Sequence, residues 1–141
     1  MKKIFILSAF LCLHTLLPAQ LYVQSGATLH ICGTVTLHNA DLVNNGNISN
    51  APNGRFVFTG TSDNDISGSS VTVFNELEIA KSGTGKLLLK NDIKATGKII
   101  FTSNQIDLNN YNIDLGNGIL EGESETSRIT GTGGGRISIQ A

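Results

Sequence analysis

Between Ile99 and Gly122 the sequence IIFTSNQIDLNNYNIDLGNGILEG writes one short pattern twice. Ile106 and Leu108 flank Asp107, and seven residues on, Ile113 and Leu115 flank Asp114. A third copy is read at Ile119. Alternation with period two is a strand signal. The corners, Asn109-Asn110-Tyr111 and Gly116-Asn117-Gly118, are too short to hold a helix between strands. A chain that turns after every short strand in this way builds the coils of a β-solenoid. The fold class expected is all-β: a single-stranded, parallel β-helix-like solenoid of short coils.

Composition agrees where it bears on this. The 16 glycines, 2 prolines and absence of Trp, with Asn at the breaks between apolar runs, favour turns and short strands over helices. A net charge of -1 and an aromatic content of 6% argue against nucleic acid as a partner, which calls for basic patches interleaved with aromatics.

The N-terminus has a different character. Lys2 and Lys3 precede an apolar run from Ile4 to Leu17, followed by Pro18 and Ala19, which reads as a secretory signal peptide over residues 1–19. The run is too short for a membrane span, which needs about 20 residues. No span is therefore expected after cleavage, and residues 20–141 are left as the solenoid domain. Loss of Lys2 and Lys3 brings the net charge to about -3. Cys12 follows Leu11, whereas lipidation chemistry wants a small residue there, so the secretory reading is preferred. Cys32, the other cysteine, is expected as a small apolar core filler between Ile31 and Gly33.

Along the chain, Leu29 and Ile31, then Val35 and Leu37, read as inward residues of two strands meeting at Gly33, with His30 and His38 outward. Asn45-Gly46 and Asn53-Gly54 read as turns, and Pro52 belongs to a corner. Residues 60–70 are polar enough to be expected as a loop. In the strand that follows, Val71 and Val73 are expected on one face and Thr72 on the other. After a phase break near Phe74, Leu77 and Ile79 face in, with Glu76 and Glu78 out. Leu87-Leu88-Leu89 and Ile93 fit two strands joined at Asn91-Asp92.

Each group that suggests chemistry also has a structural reading, which is preferred. His30 and His38 lack a third ligand for a metal. Asp63-Asn64-Asp65 suggests calcium, but Ser67 replaces the turn glycine and no closing Glu follows. Glu76 and Glu78 have roughly the 7 Å spacing of a glycosidase pair without aromatic platforms, and read as solvent-facing. Asp107 and Asp114 could stack on adjacent strands, but no His or Arg joins them by spacing, and they read as solvent-facing too. Ser82 to Lys86 fails as a phosphate loop at Ala80 and Leu87, and neither Gly116-Asn117-Gly118 nor Gly133-Gly134-Gly135 opens a helix. Lys86, Lys90, Lys94 and Lys98 recur every four residues and read as a solvated flank, with an acidic glycan as the alternative partner. Glu121, Glu123 and Glu125 read as an exposed edge, and Asn47-Ile48-Ser49 matches a glycosylation sequon. No catalytic, cofactor-binding or metal-binding residue is assigned, and no cofactor is expected.

From Tyr111 the run YNIDLGNGILEGESETSRITGTGGGRI resembles a coil that recurs in large secreted surface proteins of gliding, type IX-secreting bacteria: an Asn-rich corner, an apolar strand ending in Leu-Gly, a short strand, a Ser/Thr/Glu loop, an Ile-Thr-Gly strand and a Gly-rich turn. The resemblance covers roughly Val71 to Ile139. It implies an adhesin-like, repeat-built exported protein whose relatives continue into further domains, so the chain is expected to be the N-terminal part of a longer architecture. It carries over no catalytic residues.

The function expected is that of a secreted, non-enzymatic structural or adhesive module at the bacterial cell surface. Its possible partners are a surface glycan or the solenoid end of another copy. A polysaccharide-active β-helix enzyme and a glycan-binding β-sandwich are the alternatives. At about 20 to 25 residues per coil and 4.8 Å per step, five or six coils would make a rod roughly 25–30 Å long.

Overall fold

Parallel strands stacked in register place each residue beside a counterpart one coil away, so the inward positions of every strand must agree with those of its neighbours. The structure, a computed structural model describing residues 19–140, meets this condition with fifteen strands. The signal peptide read over residues 1–19, Cys12 included, lies outside the described residues except for Ala19.

In chain order the strands are β1 (Ala19–Val23), β2 (Thr28–Ile31), β3 (Thr34–His38), β4 (Ala40–Asn44), β5 (Asn47–Asn50), β6 (Arg55–Gly60), β7 (Asn64–Ser67), β8 (Thr72–Lys81), β9 (Leu87–Leu89), β10 (Ile93–Ser103), β11 (Ile106–Asp107), β12 (Asn112–Gly116), β13 (Ile119–Glu121), β14 (Ile129–Thr130) and β15 (Arg136–Ile139). One sheet has the order β1-β4-β7-β9-β11-β14. A second runs β15-β12-β10-β8-β6-β3, with β13 added through β10, and β2 pairs with β5. The ladders are parallel throughout. This is a β-solenoid of about six turns, which removes the β-sandwich alternative.

The first two turns keep three faces separate. At β8 and β10 two faces join in one long strand that bends at a bulge, where Thr96 and Gly97 of β10 stand against Asn75 of β8. That bulge is the phase break read near Phe74. Register steps run from 19 residues (Leu87 to Ile106) to 24 (Leu42 to Ile66).

The core consists of inward columns. Val35, Phe56, Leu77, Ile99 and Leu120 form one, and Leu37, Phe58, Ile79 and Phe101 another. Phe56, Phe58, Leu77, Ile79 and Ile99 have no exposed surface. Each fully buried side chain of this size contributes about 1.5–3 kcal/mol relative to exposure, which makes these columns the main source of stability.

Three readings of the sequence are corrected. Residues 60–70 contain β7, in which Asn64 and Ile66 turn inward and register with Leu87 and Leu89. A four-residue strand flanked by coils on both sides needs little apolar content of its own, so composition hid it. Val71 and Thr72 lie on opposite faces as expected, and it is Thr72 that faces in, with Val71 exposed. Phe74 takes the inward position, and Asn44 Nδ2 donates to the Thr72 hydroxyl at 3.2 Å. The pattern read at Ile119 is one residue out of phase, because Leu120 registers with Ile99 and leaves Ile119 exposed beside Lys98. Cys32 is exposed rather than in the core, since Ile31 takes the inward position before the Gly33 corner. Among the described residues no helix is long and apolar enough to cross a membrane.

Candidate functional site

The most organised outer surface lies on β6, β8, β10 and β13. Strand alternation that turns the apolar columns inward turns two rows outward: Thr34, Arg55, Glu76, Lys98 and Ile119, and Thr36, Val57, Glu78, Ile100 and Glu121. In a parallel stack, like charges in one row would sit about 4.8 Å apart and repel. Here Arg55, Glu76 and Lys98 alternate in sign. Arg55 also pairs with Glu78, Lys98 lies 3.9 Å from Glu76 and 3.2 Å from Glu121, and the Thr102 hydroxyl donates to Glu78 at 2.6 Å. Glu76 and Glu78 do face outward, as read, and both are tied into this ladder. The surface is mixed in charge, and its charged side chains pair with one another between adjacent turns.

The corners hold the coils together through side chains. Asn39, Asn104, Asn109 and Asn110 adopt positive φ, which Asn tolerates better than most residues. Corner Asn and Asp side chains bond the backbone of the next coil. Asn39 Oδ1 accepts from Thr61 and Ser62 N–H at 2.8 and 3.0 Å, Asp63 Oδ1 from Lys86 N–H at 2.7 Å, and Asp92 Oδ1 from Asn112 N–H at 2.8 Å. Asn91 Nδ2 donates to the Gly68 and Ser70 carbonyls at 2.9 and 3.1 Å. At these corners the side chains satisfy backbone groups that the strand ladders do not pair, while other corner groups bond backbone of the neighbouring coil directly, as Asn45 N–H does to the Val23 carbonyl.

The carboxylate pair Asp107 and Asp114 does not stack. Asp107 lies on β11 in the first sheet and Asp114 on β12 in the second. Asp107 is buried, correcting its solvent-facing reading. Its carboxylate accepts from Asn109 N–H at 3.0 Å, from Thr132 N–H at 3.2 Å and from the Thr132 hydroxyl. Burial opposes its charge, but the Thr132 and Asn109 hydrogen bonds outweigh this and hold the carboxyl below its ordinary range. Asp114 is held low by the Gly116 N–H, with Lys94 at 3.3 Å adding to the effect.

The remaining candidates are also engaged in the fold. His30 Nδ1 bonds Ser49 Oγ at 2.8 Å and His38 Nδ1 bonds Thr59 Oγ1 at 3.1 Å, one coil on in each case. Asp63-Asn64-Asp65 does not converge, because Asn64 points inward while Asp63 caps Lys86. Among the described residues no group of three or more His, Cys, Asp or Glu side chains is placed to hold a metal. The lysine repeat divides: Lys94 meets Asp114, Lys98 meets Glu76 and Glu121, and Lys86 sits at a corner, so no continuous basic stripe forms.

Sequence reading missed Lys81. It ends β8 with only 1% of its surface exposed, and its Nζ donates to the Thr59 carbonyl at 3.1 Å and to Asn64 Oδ1. Asn64 is 3% exposed, and its Nδ2 donates to Asp41 Oδ1 at 3.3 Å. The signal was in the parity: Leu77, Ile79 and Lys81 occupy alternate positions, so a strand that buries the first two buries the third.

Comparison with protein-family models, with curated proteins and with solved structures finds no match.

Proposed function

We propose that the protein is an exported, non-catalytic β-solenoid module that acts as a rigid spacer or adhesive rod at the bacterial cell surface. The observation that carries this reading is the outer ladder of β6, β8, β10 and β13, where charged side chains of adjacent turns pair with one another. A polar, charge-paired outer face on a filled core suits contact with an extended, hydroxyl-rich chain such as a surface glycan. The N-terminal signature of Lys2, Lys3 and the apolar run to Leu17 supports export.

The full chain, produced in a bacterial host, is expected outside the cytoplasm with its N-terminal segment removed, and retained on immobilised surface polysaccharides. Retention should fall when Glu78→Lys and Lys98→Glu disrupt the ladder. An uncleaved cytoplasmic product would refute export. Exported protein that no polysaccharide retains would restrict the role to that of a spacer.

A second reading, association of copies through the first turn, is favoured by its exposed apolar surface. Tyr22 is exposed beside a depression lined by Leu21, Ala27 and Leu29. Sedimentation velocity over a concentration series tests it: a sedimentation coefficient rising with concentration supports association, and a constant monomer value refutes it.

A further inference from the structure

The buried Lys81 and Asn64, with the partly buried Asp41, form a chain of contacts that the proposed rod does not require. From this arrangement we propose that Lys81 and Asn64 join in an intramolecular isopeptide bond, with Asp41 as the proton-relaying residue. Lys81 Nζ is already held against the Asn64 carboxamide, and Asp41 Oδ1 already holds a hydrogen of its leaving nitrogen, Nδ2, at 3.3 Å.

Three features of the surroundings favour the reaction. Both partners are almost fully enclosed, at 1% and 3% exposure, so water is excluded as a competing nucleophile. Lys81 forms no ion pair among the described residues. Burial pushes its amine below the ordinary lysine range against the opposing charges of Asp63 and Asp41, which raises the share of the neutral, nucleophilic form. Proximity supplies the rest, since two groups fixed in contact react as one molecule.

The step balances without a co-reactant. The Nζ lone pair attacks Asn64 Cγ, a carbon–nitrogen bond forms, and the carbonyl electron pair moves onto Oδ1. Collapse restores the carbonyl and breaks Cγ–Nδ2. The proton given up by Nζ reaches Nδ2 through the Asp41 carboxylate, and ammonia departs. The hydrogen bond to Oδ1 is replaced by an amide. Because Asn64 opens β7 and Lys81 closes β8, the new bond ties one turn of the solenoid into a covalent ring, 17 positions apart in sequence.

Peptide mapping of the folded full chain tests this. Trypsin should fail to cut after Lys81 and yield a single peptide from Phe56 to Lys86 that is about 17 Da light, the mass of one ammonia. Further cleavage after Glu76 and Glu78 should leave its two halves joined. Asn64→Ala and Lys81→Met should restore the unmodified mass, and Asp41→Asn should retain the fold while the link forms slowly or not at all. Separate, unmodified peptides ending at Lys81 and at Lys86 from folded protein would overturn the proposal. So would a 17 Da deficit on a peptide that falls into two unlinked pieces, as cyclised glutamine or asparagine would give.

Discussion

Phe56 and Phe74 meet edge to face, with ring centroids 5.3 Å apart and ring planes at 86°, and so join β6 of one turn to β8 of the next. Both rings are fully buried. This contact lies beside the bulge where β8 bends, and it packs the inside of the bend that merges two faces into one strand. Phe74→Ala should destabilise the protein by about 3–5 kcal/mol, as large-to-small changes in tight cores do. A double-mutant cycle with Phe56→Leu should show a coupling of about 0.5–1.5 kcal/mol. Urea unfolding followed by circular dichroism measures both.

Glycines at positive φ differ in what surrounds them. A Cβ at Gly68 would fall 2.1 Å from the Asn44 carbonyl oxygen at φ +116, whereas one at Gly26 (φ +81) meets nothing within 4 Å. Gly26→Ala should cost about 1–2 kcal/mol from backbone conformation alone. Gly68→Ala adds a clash with the neighbouring coil and should cost several-fold more. Thermal unfolding of the two variants side by side checks the difference.

Asp107 links stability to pH. Its folded-state carboxyl lies below the ordinary value of 3.8, so its contribution is present above that value and is lost as the pH falls through the folded-state value. Asp65 behaves oppositely. Burial raises it, Lys90 lowers it, and the nearby Asp41 and Asp63 raise it further, so mild acidification first relieves strain at that site. Stability should therefore hold or rise slightly as pH drops toward the upper side of 3.8, then fall below it. Asp107→Asn should flatten the acid limb and lower stability at neutral pH by about 1–3 kcal/mol through weakened hydrogen bonds. Asp65→Asn should raise the neutral-pH melting temperature. Melting temperatures from pH 2 to 8 read out all three.

The corner side chains carry more stability than their exposure implies. Asn91 donates to the Gly68 and Ser70 carbonyls and accepts from Asp92 N–H at 2.8 Å. Asn91→Ala should cost about 1–3 kcal/mol, because it leaves partly buried backbone carbonyls unpaired. Faster amide exchange at the 68–70 corner, measured by hydrogen exchange, would place the loss there.

The outer ladder should tolerate change. Lys98 pairs with Glu76 and Glu121 across partly exposed surface, where such contacts contribute about 0–1 kcal/mol and weaken with salt. Lys98→Ala should shift the melting temperature by no more than a few degrees, and high salt should narrow the difference. This tolerance makes Lys98→Glu the cleaner ladder variant for binding tests, since Glu78 is only 12% exposed and pairs with Arg55.

The sequence alone determined the architecture. The seven-residue step from Ile106 to Ile113, with Asn and Gly at each break, admits short strands and tight corners and excludes helices. The outward placement of Glu76 and Glu78 followed from the parity of Leu77 and Ile79. Tertiary structure decided what parity and composition leave open, namely which residue of each short strand meets a neighbouring coil. Leu120 faces in because it lies beside Ile99, β7 exists because coils on either side hold it, and Asp107 is buried because Thr132, 25 residues later, closes over it. Lys81 meets Asn64 for the same reason. In a solenoid each residue's lateral neighbours lie about one coil away in sequence, and coil lengths here vary between 19 and 24 residues. A local pattern therefore sets the direction a side chain takes, and only the completed stack sets which group it meets.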